Sequence, residues 1–157
     1  MTQRTPHQPV ETDNRHGHDA DRGGENVEIT ALGRLADGWL PSFVTPADVE
    51  VARPIIERVA SEHDRTVPAD HFGALIPYTH DALPDALRAG LAARRPDLAD
   101  IGELVPQGWD QLLALIDRFV DVGTTKFVVL PINEVSGPEE WIAELEAAAA
   151  VLLPRQT

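Results

Sequence analysis

The sequence predicts an α/β fold in which parallel strands alternate with helices, and three observations support this prediction. Segments with helical and strand-like hydrophobic spacing follow one another along the chain. No two-residue hairpin turn such as Asn-Gly joins two of the strand-like segments. Residues 126–130 are nearly all apolar, which is typical of a parallel strand with both faces buried. Strands separated by helices pair in parallel through right-handed crossovers, so we expect an open parallel sheet or part of a larger one.

Length and composition restrict the class of protein. The 157 residues fit one domain and are too few for a closed barrel of eight strands and eight helices, which needs about 250 residues. The absence of cysteine excludes a disulfide scaffold and a thiolate metal site, and it suits the reducing cytoplasm, where we expect the protein. A net charge of −13 argues against binding to nucleic acid or to an anionic membrane. No apolar run approaches the ~20 residues of a transmembrane helix.

The N-terminal part of the chain has a different composition from the rest. Its first 26 residues contain only three apolar side chains, those of Met1, Val10 and Ala20. Such a segment cannot bury enough surface to offset its conformational entropy. We therefore predict a disordered tail at residues 1–22 and a folded part at residues 23–157. The histidines of the tail are too few and too widely spaced for a metal site, and none is predicted.

The first three predicted elements are a helix at residues 25–36, a strand at 39–43 and a helix at 45–62. Ile29, Leu32 and Leu35 lie on one face of the first helix. An Asp-Gly turn then leads into the short, mostly apolar strand. The next helix begins with Thr45 as a capping residue, a proline in the first helical position and Asp48 three residues after the cap, which is the pattern of a capping box.

The remaining predicted elements are a strand at 72–78, helices at 83–95 and 109–122, a strand at 126–130 and a helix at 138–152. The helix at 109–122 has the clearest pattern, because Leu112, Ile116 and Phe119 recur on one face. Gly123 suits a left-handed residue that ends this helix. Ser136 begins a second pattern typical of a capping box, ahead of the last helix.

Three segments, in this order and spacing, resemble the luciferase-like monooxygenases. Residues 33–42 (GRLADGWLPS) are similar to a signature of this family, and residues 119–129 (FVDVGTTKFVV) resemble its final step from helix to strand. Residues 72–78 (FGALIPY) occupy the place of a late barrel strand. The family consists of flavin- or deazaflavin-dependent oxidoreductases with a TIM-barrel fold. The resemblance covers roughly residues 23–153, and it implies a partial TIM barrel, its C-terminal portion, with three parallel strands.

The resemblance also implies an activity and its cofactor. It indicates a monooxygenase or oxidoreductase that acts on a small-molecule substrate with FMN or the deazaflavin coenzyme F420. The family's earlier strands supply much of the flavin-ring pocket, and a catalytic histidine where one exists. They have no counterpart here, so we predict a truncated relative, name no catalytic residue and leave its activity open. One alternative is a non-catalytic half-barrel that self-associates as a homo-oligomer or docks on a complementary barrel fragment. Another is a small open-sheet ligand-binding module unrelated to barrels.

Three residues are candidates for cofactor binding. In the family, a Gly-Gly turn at the position of Gly23 and Gly24 lets backbone amides approach the cofactor phosphate, and a helix N-terminus favours the anion. The alternative for this pair is a flexible linker. Ser42 matches a family position that faces the cofactor or substrate pocket, and its hydroxyl can donate a hydrogen bond to a phosphate or a carbonyl. A capping or turn serine is the alternative for Ser42.

Three further residues are candidates for the substrate pocket. Barrel enzymes place their chemistry at the C-terminal ends of the strands, and this rule selects Tyr78, His80 and Asn133. An imidazole can transfer protons near neutral pH, so His80 could act on a bound substrate. A histidine on a surface loop is the alternative.

Overall fold

The computed structural model describes residues 27–132 and 136–156. Its helices are α1 (Val27–Leu35), α2 (Pro46–Glu62), α3 (Asp85–Arg94), α4 (Gly108–Asp121) and α5 (Pro138–Leu152), and its strands are β1 (Gly73–Tyr78) and β2 (Lys126–Pro131). The five predicted helices are all present, close to their predicted ends. The predicted tail at residues 1–22 lies outside the described residues. Within the described ranges, no helix combines the length and the apolar character needed to cross a membrane.

Two parallel strands, and not the predicted three, form the sheet. β1 pairs with β2 in parallel along its whole length. The predicted strand at 39–43 is not formed as a strand. Residues 39–42, which we call the edge segment, instead lie beside β1 and make two isolated parallel bridges, Trp39 with Phe72 and Ser42 with Leu75.

The edge segment is not a regular strand because its backbone cannot continue the hydrogen-bond ladder. The Trp39 carbonyl accepts from the Gly73 amide at 2.8 Å, and the Pro41 carbonyl accepts from the Leu75 amide at 2.9 Å. Pro41 has no N–H with which to bond back to β1. Phe43 then takes a left-handed conformation with φ of 57°, which ends the extended run.

The edge segment, β1 and β2 nevertheless lie side by side in chain order and run in the same direction. α2 connects the edge segment to β1, and α3 and α4 connect β1 to β2. The C-terminal ends of β1 and β2 therefore meet at one edge of the sheet, and the edge segment ends level with Leu75, three residues before the end of β1. This arrangement is an α/β unit of the kind from which parallel barrels are built.

Helices cover one face of the sheet, and the main core lies between them. Side chains alternate between the two faces along β1, and alternate residues from Ala74 to Tyr78 point toward the helices. The core cluster consists of Val49, Ala74, Ile76, Tyr78, Leu112, Leu115, Ile116 and Phe119. Most of these residues come from β1 and α4, so the strongly amphipathic α4 anchors the sheet.

The helix ends follow the predicted local chemistry in two cases and depart from it in one. The Thr45 side chain accepts from the Asp48 amide and the Asp48 carboxylate accepts from the Thr45 amide, so the predicted capping box is confirmed. Gly123 follows Val122, the C-cap of α4, with φ of 89°, which also agrees with prediction. The prediction of a capping box at Ser136 is wrong, because Gly137 is the N-cap of α5 and no side chain caps this helix. Instead, the Ser136 amide donates to the Glu140 carboxylate at 2.5 Å.

Close packing of α1 on α2 depends on Gly33. A Cβ at this position would lie 2.7 Å from the Val59 Cβ and 2.8 Å from the Ile56 carbonyl oxygen. Arg65 adds to this contact by donating to the Gly33 carbonyl at 3.1 Å, near the end of α1. The absence of a side chain at Gly33 therefore sets how closely the two helices approach.

We expect Gly33→Ala to lower the free energy of unfolding by roughly 1–3 kcal/mol, because the added methyl group must push α1 away from the α2 backbone. Gly90→Ala is the matched control. Gly90 lies within exposed α3, and a methyl group added there would meet no other atom within 4 Å, so this change should raise stability by about 0.5–1 kcal/mol through helix propensity. Urea unfolding followed by circular dichroism measures both. Equal effects of the two substitutions would contradict the packing described here.

Candidate functional site

The candidate site lies where β1 ends at the C-terminal edge of the sheet. Immediately after β1, the Thr79 amide donates to the Pro106 carbonyl at 3.2 Å, and the Gly108 amide donates to the Thr79 carbonyl at 2.7 Å. On the other side, the Ile132 amide donates to the Tyr78 carbonyl at 2.9 Å. These bonds bring the start of α4 and the end of β2 next to the end of β1.

A carboxylate from α5 joins two residues at this point. Glu144 Oε1 accepts a hydrogen bond from the Tyr78 hydroxyl at 2.6 Å and contacts His80 Nε2 at 2.9 Å. An ionised carboxylate can only accept, so the Nε2 atom of His80 carries a proton in this arrangement. The Glu144 side chain is only 15% exposed, and the Tyr78 side chain is fully buried. One oxygen atom therefore holds both residues in place.

Three rings pack around this carboxylate. The centroid of the His80 ring lies 4.7 Å from that of the Trp109 ring and 5.7 Å from that of the Tyr78 ring. The His80 ring is nearly perpendicular to both. The Tyr78 and Trp109 rings are 5.1 Å apart. Edge-to-face contacts of this kind favour one orientation of each ring. We call Tyr78, His80, Trp109 and Glu144 the Glu144 cluster.

Burial raises the pKa of Tyr78 well above its ordinary value, and the hydrogen bond to Glu144 and the charge of that carboxylate raise it further. The phenol therefore stays protonated throughout the physiological range. Tyr78 acts as a fixed donor to Glu144 and does not serve as a base.

The cluster is suited to proton transfer through His80. Glu144 contacts the ring at Nε2 and so fixes its orientation at the end of β1, as a proton-transferring imidazole requires. The His80 side chain is 33% exposed, whereas Tyr78 is buried. Of these two residues, His80 is the one that a small molecule at the edge of the sheet can reach.

The structure brings some of the predicted site residues together and separates another. Tyr78 and His80 contact each other. Ser42 pairs with Leu75 and so shares the face of that residue, opposite the helix-facing side chain of Tyr78. Gly23, Gly24 and Asn133 lie outside the described residues.

Sequence reasoning missed Glu144 and took Trp109 only as a residue of the apolar face of its helix. The sequence pattern alone indicates a solvated surface for the acidic residues of α5. The helical spacing of α5 could have identified Glu144 as an inward-facing residue. Glu144 lies one turn before the buried Ala148 and two turns before Leu152, which packs against the core. An acid on the inward face of an otherwise apolar helix predicts a buried polar partner.

The face of the sheet opposite the helices has a different chemistry. This face carries Ser42 and apolar side chains from all three segments. We call its residues the open face: Leu40, Ser42, Leu75, Val128 and Leu130. Ser42 is exposed among them. A flat isoalloxazine or deazaflavin ring needs an apolar wall with a few polar groups, and the open face has this composition.

The loop that follows Ser42 is held rigidly. Arg95 donates to the Phe43 carbonyl at 3.0 Å and to the Asp48 carboxylate at 2.9 Å. Asp48 in turn accepts from the Thr45 amide at 2.6 Å. These bonds fix the left-handed turn at Phe43 and with it the position of Ser42.

Two of the described cations are already paired with carboxylates. Arg95 is engaged by Asp48 and Asp97. Lys126 lies at the N-terminal end of β2 and pairs with Asp70 at 3.6 Å. The apolar open face suits the ring of a flavin-type cofactor, and neither of these two side chains is available to its phosphate.

We expect Tyr78, the only tyrosine of the chain, to ionise only well above pH 10 in the folded protein. Because the folded pKa lies above the unfolded value of about 10, the free energy of unfolding should decrease as the pH rises above that value. Glu144→Gln should shift the titration toward lower pH, and Glu146→Gln, at an exposed position of the same helix, should not. Tyrosinate absorbance measures the titration. Ionisation of Tyr78 near pH 10 in the folded chain would contradict the observed contacts.

Comparison with known proteins agrees with this architecture. No family model matches the chain, and no curated protein sequence matches it. The coenzyme F420 dependent tetrahydromethanopterin reductase from Methanopyrus kandleri is similar in structure, with a TM-score of 0.53 and 19% identity over 82% of this chain and 48% of that chain. The monooxygenase RslO1 from Streptomyces bottropensis has a TM-score of 0.48 and 17% identity, over 82% and 45% of the two chains. The chain thus spans about half the length of these proteins, and its predicted resemblance to the luciferase-like monooxygenases is confirmed as a resemblance of fold.

Proposed function

We propose that the chain is part of a barrel that binds FMN or the deazaflavin coenzyme F420 and oxidises or reduces a small molecule. One observation carries this proposal. The edge segment, β1 and β2 run in parallel in chain order, and their C-terminal ends point to the same edge of the sheet, in a fold shared with a coenzyme F420 dependent reductase over 82% of the chain. Barrel enzymes build their active sites at this edge.

Each candidate residue then has a role in the proposal. Ser42 contacts the cofactor on the open face, and the backbone amides of Gly23 and Gly24 hold its phosphate. His80 exchanges a proton with the substrate, and Glu144 positions its ring. Tyr78 and Asn133 belong to the substrate side, where Tyr78 acts through Glu144. The bound cofactor supplies the hydride or oxygen chemistry, and the chain orients the reactants.

A second candidate function is a non-catalytic half-barrel that acts only by association. The observation that favours it is the exposure of Leu40, Val128 and Leu130 on the open face. Apolar groups grouped on one sheet face are typical of a surface that another chain covers. A measurement of cofactor binding distinguishes the two candidate functions, because only the first requires it.

Titration of the purified chain with FMN and with coenzyme F420, followed by fluorescence, tests the proposal. We expect saturable binding of one of them. Ser42→Ala should weaken this binding by about tenfold, the effect of one lost hydrogen bond. Ser61→Ala, at an exposed position near the end of α2, is the matched control and should leave the affinity unchanged. No saturable binding of either cofactor at any chain concentration would reject the enzyme and leave the half-barrel.

A further inference from the structure

A small cavity lies next to the end of β1, between α3 and the start of α4. Its volume is about 190 Å³, and Thr79, Arg88, Asp100 and Gln111 are among the residues that line it. This volume holds about six water molecules at roughly 30 Å³ each, and it is below the roughly 300–1,000 Å³ of pockets for drug-sized ligands. A ligand of this cavity is therefore a small molecule.

The cavity combines an apolar part with polar groups. Leu83 and Val105 line it, and both are buried in a cluster of apolar side chains. Arg88, Asp100 and Gln111 line it as well, and all three are exposed to solvent. Sites for small molecules have this composition, in which the apolar groups contact the ligand and a few polar groups fix its orientation.

One cation at the cavity has no partner among the described residues. The chain has 26 acidic and 13 basic residues, so carboxylates are plentiful. Most arginines in the described ranges contact one. The guanidinium of Arg88, however, makes no hydrogen bond or ion pair within residues 27–132 and 136–156. A guanidinium is always charged and can bind a carboxylate with two parallel hydrogen bonds, so Arg88 is available to the carboxylate of a ligand.

An anion lines the same cavity. Asp100 Oδ1 accepts a hydrogen bond from the Gly102 amide at 2.8 Å, which caps the short helix Ile101–Glu103. This bond fixes the carboxylate and leaves it able to accept from a further donor. No ion pair joins Arg88 to Asp100, although both line the cavity. A ligand between the two side chains can therefore contact a positive group on one side and a negative group on the other.

Hydrogen bonds of the surrounding segments hold the cavity in shape. Gln111 Oε1 accepts from the Gln107 amide at 2.9 Å, so the NH₂ group of Gln111 can donate to a ligand. Gln107 Nε2 donates to the His80 carbonyl at 3.4 Å, which connects this region to the Glu144 cluster. A preformed site loses less free energy to the ordering of side chains when it binds a ligand.

We infer that this cavity binds a small zwitterion, of which a free α-amino acid is the simplest example. Arg88 binds the carboxylate, Asp100 binds the ammonium group, and Leu83 and Val105 contact the aliphatic part. The net charge of −13 repels free anions, whereas a zwitterion has no net charge. The inference goes beyond the proposed function and does not rest on it, because the cavity shares no residue with the open face and needs no cofactor.

Titration of the purified chain with L-valine, without FMN or coenzyme F420, tests the inference. We expect saturable shifts of the side-chain amide signals of Gln107 and Gln111 in two-dimensional NMR spectra. Arg88→Gln should weaken the binding by about tenfold or more, because it removes charge-assisted hydrogen bonds. Arg94→Gln is the matched control and should leave the affinity unchanged. Arg94 is also exposed on α3 and pairs with no described carboxylate, but it does not line the cavity.

Two truncated ligands assign each charge of L-valine to its partner. Isovalerate lacks the amino group, and isobutylamine lacks the carboxylate. Arg88→Gln should weaken the binding of isovalerate and not that of isobutylamine, whereas Asp100→Asn should weaken the binding of isobutylamine and not that of isovalerate. Asparagine can still accept from the Gly102 amide, so this variant keeps the helix cap and changes only the charge.

Several results would overturn the inference. These are the absence of saturable L-valine binding, equal losses of affinity in the Arg88→Gln and Arg94→Gln variants, and tighter binding of inorganic phosphate, which has no cationic group for Asp100. The outcome is separable from that of the proposed function. A chain that binds FMN or coenzyme F420 but not L-valine rejects this inference alone, and a chain that binds L-valine but neither cofactor rejects the proposed function alone.

Discussion

The parallel pairing of β1 with a neighbour on each side is the constraint on which the rest of the structure depends. It gives the three neighbouring segments one direction, so the right-handed connecting helices lie on the same face and the C-terminal ends point to the same edge. It also assigns the side chains of β1 to alternate faces. Tyr78 consequently points toward the helices and Glu144, while Leu75 shares the other face with Ser42. The two faces therefore carry different chemistry at the same edge.

Most of the helices could be predicted from the sequence because their signals are local. The Thr45 capping box, the left-handed Gly123 and the apolar face of α4 each lie within a few residues of the structure that they determine. The edge segment could not be predicted in the same way. Its composition suits a strand, but its pairing depends on which backbone groups face β1. Pro41 lacks the N–H that such a strand would use, and this matters only once the neighbour is known.

The candidate site was predictable only in part for a related reason. Tyr78 and His80 follow from the rule that chemistry lies at strand ends, which needs only the position of β1. Glu144 is 66 residues from Tyr78, so its partners follow from the packing of α5. The separation of Ser42 from Tyr78 depends on the register between the edge segment and β1, and a shift of one residue would have reversed the face of Ser42.

Glu144 links its cluster to the exposed apolar surface of α5. The carboxylate is the polar attachment of α5 to the end of β1, and α5 otherwise buries little beyond Ala148 and part of its C-terminal turn. The same helix presents Ile142 and Leu145 outward. The bond that orients His80 therefore also contributes to the position of this exposed pair.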